Sequence, residues 1–132
     1  MPGSGKFLLD TNVVIGLLDD GIREAVETVS EVFLPVVAIG ELYFGAAKSG
    51  RPEHNRKVIE QFVESRVVLA CDLAVAREYG RVKSLLKTRG TPLPENDIWI
   101  GEIALRHELT LVSRDKHFLE IENLSLVSWS RT

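Results

Sequence analysis

Short apolar segments alternate with longer segments of helical periodicity along most of the 132-residue chain. The apolar segments lack the in-out alternation of half-exposed strands, which is typical of parallel strands buried on both faces. Alternating strands and helices favour right-handed crossovers and a parallel sheet. The sequence therefore predicts an α/β protein with a parallel sheet covered by helices on both sides. The five predicted strands are Lys6–Leu9, Val32–Leu34, Val67–Leu69, Thr110–Val112 and Leu124–Val127.

The length and composition suit one compact domain, so we expect a single domain spanning residues 1–132. One cysteine, Cys71, rules out an internal disulfide and fits a reducing compartment. No apolar run approaches the roughly 18 residues of a membrane span, and the N-terminus does not resemble a secretory signal. These features predict a cytoplasmic protein with no membrane association.

Four carboxylates lie where apolar segments give way to polar ones. Asp10 directly follows the first predicted strand, and Asp115 comes shortly after the fourth. Glu41 and Asp97 lie in predicted apolar helices. Ligands of open parallel sheets gather beyond the carboxyl ends of the strands. If the first and fourth strands are neighbours, Asp10 and Asp115 share one crevice, and the two helices can bring Glu41 and Asp97 to it.

Four carboxylates in one partly desolvated crevice repel each other unless a cation compensates them. Oxygen ligands without histidine or cysteine favour Mg²⁺ or Mn²⁺, and such ions support phosphodiester hydrolysis. Setting the four acids aside moves the formal charge from −3 to +1. The remaining surface is near neutral, so composition neither supports nor excludes a nucleic-acid substrate.

Each acid also has a structural interpretation. Asp10 or Asp97 could cap or complement a helix N-terminus, Asp115 could begin a turn, and Glu41 could be a solvated helix residue. An aspartate-based phosphotransfer domain, with Asp10 as nucleophile, is a further alternative. The phosphatases of that class need a second aspartate two residues on, where this chain has Asn12.

Four segments carry a likeness to a known family. They are LLDTNVVIGLL, VVAIGELYFGA, LPENDIWIGEIAL and LTLVSRDKHF, and they appear in the family's order. With them, the chain resembles the PIN domain, and within that family the small VapC-type toxins of toxin–antitoxin systems. The likeness covers almost the whole chain, so the single domain is expected to be a PIN domain.

The resemblance implies a three-layer α/β/α fold whose five-stranded parallel sheet has the first strand at its centre. It also implies a Mg²⁺- or Mn²⁺-dependent endoribonuclease that hydrolyses single-stranded RNA. Asp10, Glu41, Asp97 and Asp115 match the family's acidic quartet. Asp10 and Asp97 are expected to touch the metal directly, and Glu41 and Asp115 directly or through water.

Substrate contacts are expected from four further residues. Asn12 and Ser113 match frequent polar positions of the family, and Ser113 could hold a water or a phosphate oxygen. Arg114 and Lys116 flank Asp115 and could reach substrate phosphates.

The resemblance finally implies partners: a cognate antitoxin, a second copy of the chain in a homodimer, and an RNA whose cleavage inhibits translation and growth. A PIN-fold domain that binds RNA or protein without turnover is the alternative.

Overall fold

The computed structural model of the protein describes residues 5–20 and 31–129. Its strands are β1 (Lys6–Leu9), β2 (Glu31–Pro35), β3 (Val67–Leu69), β4 (Thr110–Val112) and β5 (Leu126–Val127). They form one sheet in the order β3-β2-β1-β4-β5, and every neighbouring pair is parallel. The predicted five-stranded parallel sheet with a central first strand is confirmed.

Side chains of the central strands point alternately to two separate cores. Leu8 of β1 packs in one buried cluster and Leu9 in the other. In β4, Leu111 pairs with Leu8 and packs in the same cluster, and Val112 pairs with Leu9 and packs in the other. Because both faces are covered, both sets of positions are apolar, and this explains the continuous apolar segments.

Helices cover both faces of the sheet. They are α1 (Thr11–Asp20), α2 (Val36–Ala47), α3 (Pro52–Glu64), α4 (Leu73–Thr88) and α5 (Glu95–Arg106), followed by a 3₁₀ helix over Lys116–Glu120. Buried residues of α1, α2 and α3 join the core around Leu9, and those of α4 and α5 join the core around Leu8. This arrangement is the predicted three-layer α/β/α fold.

Two of the predicted elements need comment. The fifth strand is shorter than the predicted Leu124–Val127, since only Leu126 and Val127 pair with β4. Leu124 instead ends a turn, in which its N–H donates a hydrogen bond to the carbonyl of Ile121. Asn123 in that turn has a φ of 68°. The helix predicted over residues 22–29 lies outside the described residues. Among the described residues, no helix is both long and apolar enough to cross a membrane.

One close contact fixes α5 against the segment that follows the 3₁₀ helix. A Cβ added to Gly101 would lie 2.5 Å from Cδ1 of Ile121, which is itself buried. Only glycine lets the helix approach this closely without a shift of that side chain. Gly101 therefore serves this packing contact.

Candidate active site

The carboxyl ends of β1 and β4 meet at one point of the sheet edge. Leu9 pairs with Val112, and the N–H of the next residue, Asp10, donates to the Val112 carbonyl at 3.1 Å. The polar residues that follow these two strands are therefore neighbours, although about a hundred positions separate them in sequence.

Asp10 is almost completely buried, with 7% of its surface exposed. Its Oδ2 accepts a hydrogen bond of 2.8 Å from the hydroxyl of Ser113, and its Oδ1 accepts one of 2.8 Å from the N–H of Thr11. Burial raises the pKa of Asp10, these two hydrogen bonds lower it, and the negative charges of Glu41 and Asp115 raise it again. The carboxylate is thus held in place yet lies in the field of other acids.

Ser113 connects two of the acids. Its hydroxyl donates to Asp10 and accepts a 3.0 Å hydrogen bond from the N–H of Asp115. A hydroxyl can donate one hydrogen bond, and the hydroxyl of Ser113 donates its hydrogen bond to Asp10. The geometry supports a positioning role for Ser113, and its binding of a phosphate oxygen stays a prediction.

Asp115 is the N-cap of the 3₁₀ helix, in agreement with the structural interpretation that it begins a turn. Its Oδ1 accepts a 2.9 Å hydrogen bond from the N–H of His117 and lies 2.7 Å from the Nδ1 of the same residue. The capping role does not remove its charge from the site, because Asp115 raises the pKa of both Asp10 and Asp97.

Glu41 reaches the cluster from α2. Its Oε1 accepts a 2.6 Å hydrogen bond from the hydroxyl of Thr11, which also contacts Asp10 through its N–H. Thr11 therefore links two acids from separate elements. Sequence reasoning missed this residue, although a hydroxyl directly after the strand-terminal aspartate was a usable signal.

Asp97 lies in the first turn of α5 and completes the cluster. Burial raises its pKa to about 6, together with the charges of Asp10, Asp115 and Glu41, in that order. Pro94 is the N-cap of α5, and no side chain among the described residues caps this helix, so the proposed capping by Asp97 is wrong. The charges of the other three predicted acids therefore act on Asp97.

The other predicted site residues lie around this cluster. Asn12, Arg114 and Lys116 are exposed. Asn12 and Arg114, with Asp10 and Asp115, line a cavity of about 110 Å³, whereas Lys116 does not line it. Trp129, which was not predicted, lines the same cavity.

The donor set fits a hard divalent cation. It consists of carboxylate oxygens, whose mutual repulsion a cation would relieve. No three His, Cys, Asp or Glu side chains in the described part of the chain form a ready ligand group. Mg²⁺ usually keeps several waters and takes one or two carboxylates from the protein, so a complete protein shell is not required.

A second acid on α5 is buried outside this cluster. Glu102 is 2% exposed, and its Oε2 has no hydrogen-bond partner within the described residues. Burial, then the charge of Glu78, raises its pKa to about 7, while Arg81 lowers it. Glu102 lines a different cavity, of about 430 Å³, with residues of α4 and the segment after the 3₁₀ helix.

The parallel sheet is flanked by helices, and acids gather beyond the carboxyl ends of its central strands. These features define an α/β protein with a candidate hydrolytic site. The PIN domain model matches residues 7–124, and the chain belongs to the PIN domain family.

Relatives of known name cover nearly the whole chain. Ribonuclease VapC2 of Haemophilus influenzae is 32% identical over 129 residues, covering 94% of this chain and 98% of the relative. The tRNA(fMet)-specific endonuclease VapC of Shigella flexneri is 31% identical and covers 95% of this chain and 98% of its own. A chain of DNA-bound VapBC from Salmonella typhimurium superposes with a TM-score of 0.86 at 30% identity, covering 95% of this chain and 98% of that one. The resemblance to VapC-type PIN domains is confirmed.

Proposed function

We propose that the protein is a metal-dependent endoribonuclease that hydrolyses phosphodiester bonds of single-stranded RNA at the Asp10 cluster. The observation that carries the proposal is the gathering of acids from separate elements around Asp10. Hydrogen bonds through Thr11 and Ser113 connect Asp10 to Glu41 and Asp115. The charges of these three acids act on Asp97. Acids that follow β1 and β4 converge here with acids of α2 and α5. Convergence of acids at a sheet edge supports chemistry rather than folding. Relatives named as ribonucleases support the same reaction.

Asp10 and Asp97 would hold a Mg²⁺ or Mn²⁺ ion directly, and Glu41 and Asp115 directly or through water. When bound, the ion supplies charge neutralisation at the phosphorus and a more acidic water. Ser113 and Thr11 hold the Asp10 carboxylate by both oxygens, so that carboxylate meets its ligand without reorganising. Thr11 orients Glu41 through the hydroxyl contact. Arg114 and Lys116, both exposed beside Asp115, would bind the RNA backbone.

The test is cleavage of a single-stranded RNA with Mg²⁺ or Mn²⁺. We expect cleavage that EDTA abolishes and that Asp10→Asn removes. Glu64→Gln is the matched control, because Glu64 is an exposed acid at the end of α3. Undiminished cleavage by Asp10→Asn would overturn the proposal. RNA binding without turnover in the wild-type protein would instead indicate a binding domain.

The cellular role we propose is that of the toxin of a toxin–antitoxin pair, acting in the cytoplasm as a homodimer held inactive by its antitoxin. Support comes from the VapC relatives and from the fold shared with VapBC of Salmonella typhimurium. Expression of the chain alone should stop translation and growth, and co-expression of a short neighbouring reading frame should restore both. Growth arrest that persists in the Asp10→Asn variant would contradict this role.

A further inference from the structure

A small cavity opens directly beside Asp10. All strands of the sheet are parallel, so the residues following β1, β4 and β5 lie at one edge. Asp10 follows β1, Arg114 and Asp115 follow β4, and Trp129 follows β5. The cavity has a volume of about 110 Å³ and is lined by Asp10, Asn12, Val13, Gly16, Arg114, Asp115 and Trp129.

Part of the cavity wall is apolar, and it includes the indole of Trp129. Trp129 packs edge-on against Phe7, with ring centroids 5.1 Å apart and an interplanar angle of 65°. The half-buried indole is therefore held by the core while it also lines the cavity. Val13 and Gly16, one turn apart on α1, contribute further apolar wall. An aromatic ring is the natural complement of such a surface.

The polar lining has unused hydrogen-bonding capacity. Within the described residues, neither the amide of Asn12 nor the guanidinium of Arg114 has a hydrogen-bond or ion-pair partner. An asparagine amide offers a donor and an acceptor side by side, and a guanidinium offers paired donors. The lining thus combines an aromatic wall with groups that recognise the edges of bases.

We propose that this cavity binds the purine base of a nucleotide adjoining the scissile phosphodiester, with Trp129 as the stacking surface and Asn12 as the base-reading group. The inference rests on the proposed function, which puts the reacting phosphate at Asp10 and Asp115, two residues of the cavity wall. The base of an adjoining nucleotide is then the part of the substrate nearest the cavity.

Size and hydrogen-bonding pattern select the occupant. Pockets for drug-sized ligands measure about 300–1,000 Å³, so this cavity suits one base and not a whole nucleotide. Asparagine pairs with N6 and N7 of adenine, and arginine pairs with O6 and N7 of guanine. Both patterns use N7, which pyrimidines lack. Adenine is the better match, because Arg114 is also placed to bind a phosphate.

Binding is measured first without cleavage, with Ca²⁺ in place of Mg²⁺. The probes are hexauridylate and the same RNA with one central adenosine, and the readout is the indole N–H resonance of each tryptophan. Trp99 stacks on Tyr79, with 3.8 Å between centroids, and serves as an internal reference. We expect the adenosine RNA to shift the Trp129 signal and to bind about ten-fold more tightly than hexauridylate. Equal affinities or an unmoved Trp129 signal would overturn the proposal.

Two variants separate base reading from folding. Asn12 is exposed, so Asn12→Ala should fold normally and lose the roughly ten-fold preference for adenosine. Trp129→Phe keeps a ring and should retain part of the preference. A preference that survives Asn12→Ala unchanged would contradict the assigned role of Asn12.

Cleavage of an RNA pool randomised around one position distinguishes the two proposals. Enrichment of purines beside the cut site in the wild type, absent in Asn12→Ala, supports the base site. Metal-dependent cleavage without any base preference overturns the base site and leaves the nuclease standing. Absence of cleavage, with the adenosine preference in binding intact, overturns the nuclease and leaves the base site standing.

Discussion

Two acids of α5, Asp97 and Glu102, have raised pKa values, of about 6 and about 7. Burial is the largest cause for both. The remaining causes differ. The charges of three carboxylates from other elements raise the pKa of Asp97. The charge of Glu78 raises the pKa of Glu102, and that of Arg81 lowers it. A perturbed pKa alone thus does not locate a reactive site, and the convergence of acids from separate elements does.

Hydrogen bonding separates the two regions further. Asp10, in the same cluster as Asp97, is held by Ser113 and Thr11, and Glu41 is held by Thr11. In the described part of the chain, the Oε2 of Glu102 has no hydrogen-bond partner. Supporting donors around a cluster indicate side chains that must keep a fixed geometry, whereas an unpartnered buried oxygen lowers stability.

Activity should distinguish the two acids most strongly. Asp97→Asn is expected to lower RNA cleavage by more than about 100-fold, since even partners that only orient metal ligands are worth about 10–100-fold. Glu102→Gln, the matched control on the same helix, should stay within about two-fold of the wild type. The measurement is kcat/KM on one RNA for both variants. Similar losses in the two variants would break the comparison.

The pH dependence of stability should report Glu102. A folded-state pKa of about 7, above the ordinary glutamate value of 4.5, means that the folded state keeps this proton to a higher pH than the unfolded state does. Stability is therefore lost as pH rises from about 4.5 through about 7, by up to about 3 kcal/mol. Urea unfolding between pH 4 and pH 8 should show a smaller loss for Glu102→Gln. An identical pH profile in that variant would show that Glu102 titrates normally.

Divalent cations should stabilise the fold through the cluster of Asp10 and Asp97, and not through Glu102. At pH 8, Mg²⁺ at 100 times its Kd is expected to stabilise the wild-type fold by about 2.7 kcal/mol. Asp97→Asn and Asp10→Asn should lose most of this gain, and Glu102→Gln should keep it. Thermal unfolding with and without Mg²⁺ measures the difference. The gain should shrink as pH falls through about 6, because Asp97 then takes up a proton.

The smallest effect is expected at Thr11, a supporting group. Thr11→Val keeps the shape and removes the hydroxyl that donates to Glu41. Cleavage should fall by about 10-fold with little change in the unfolding midpoint, and Thr11→Ser should recover most of it. Failure of Ser to recover activity would indicate that the methyl group, and not the hydroxyl, is what the site needs.

The sequence predicted the sheet and the four acids because both depend on local signals. Apolar segments reveal strands buried on both faces, and Asp10 follows β1 directly. The burial of Glu102 was not predicted, because it depends on how α4 and the segment after the 3₁₀ helix enclose α5. The part played by Trp129 depends likewise on the pairing of β5 with β4. Such facts come from tertiary packing, which periodicity does not describe.

The hydrogen bond between Ser113 and Asp10 joins positions 103 residues apart, near the two ends of the chain. During synthesis, β1 emerges from the ribosome first and has no neighbour on one side until β4 follows. A nascent chain therefore carries its first acid but lacks the partner that fixes it. The candidate site can therefore take its final geometry only after the residues of β4 have been translated and have paired with β1.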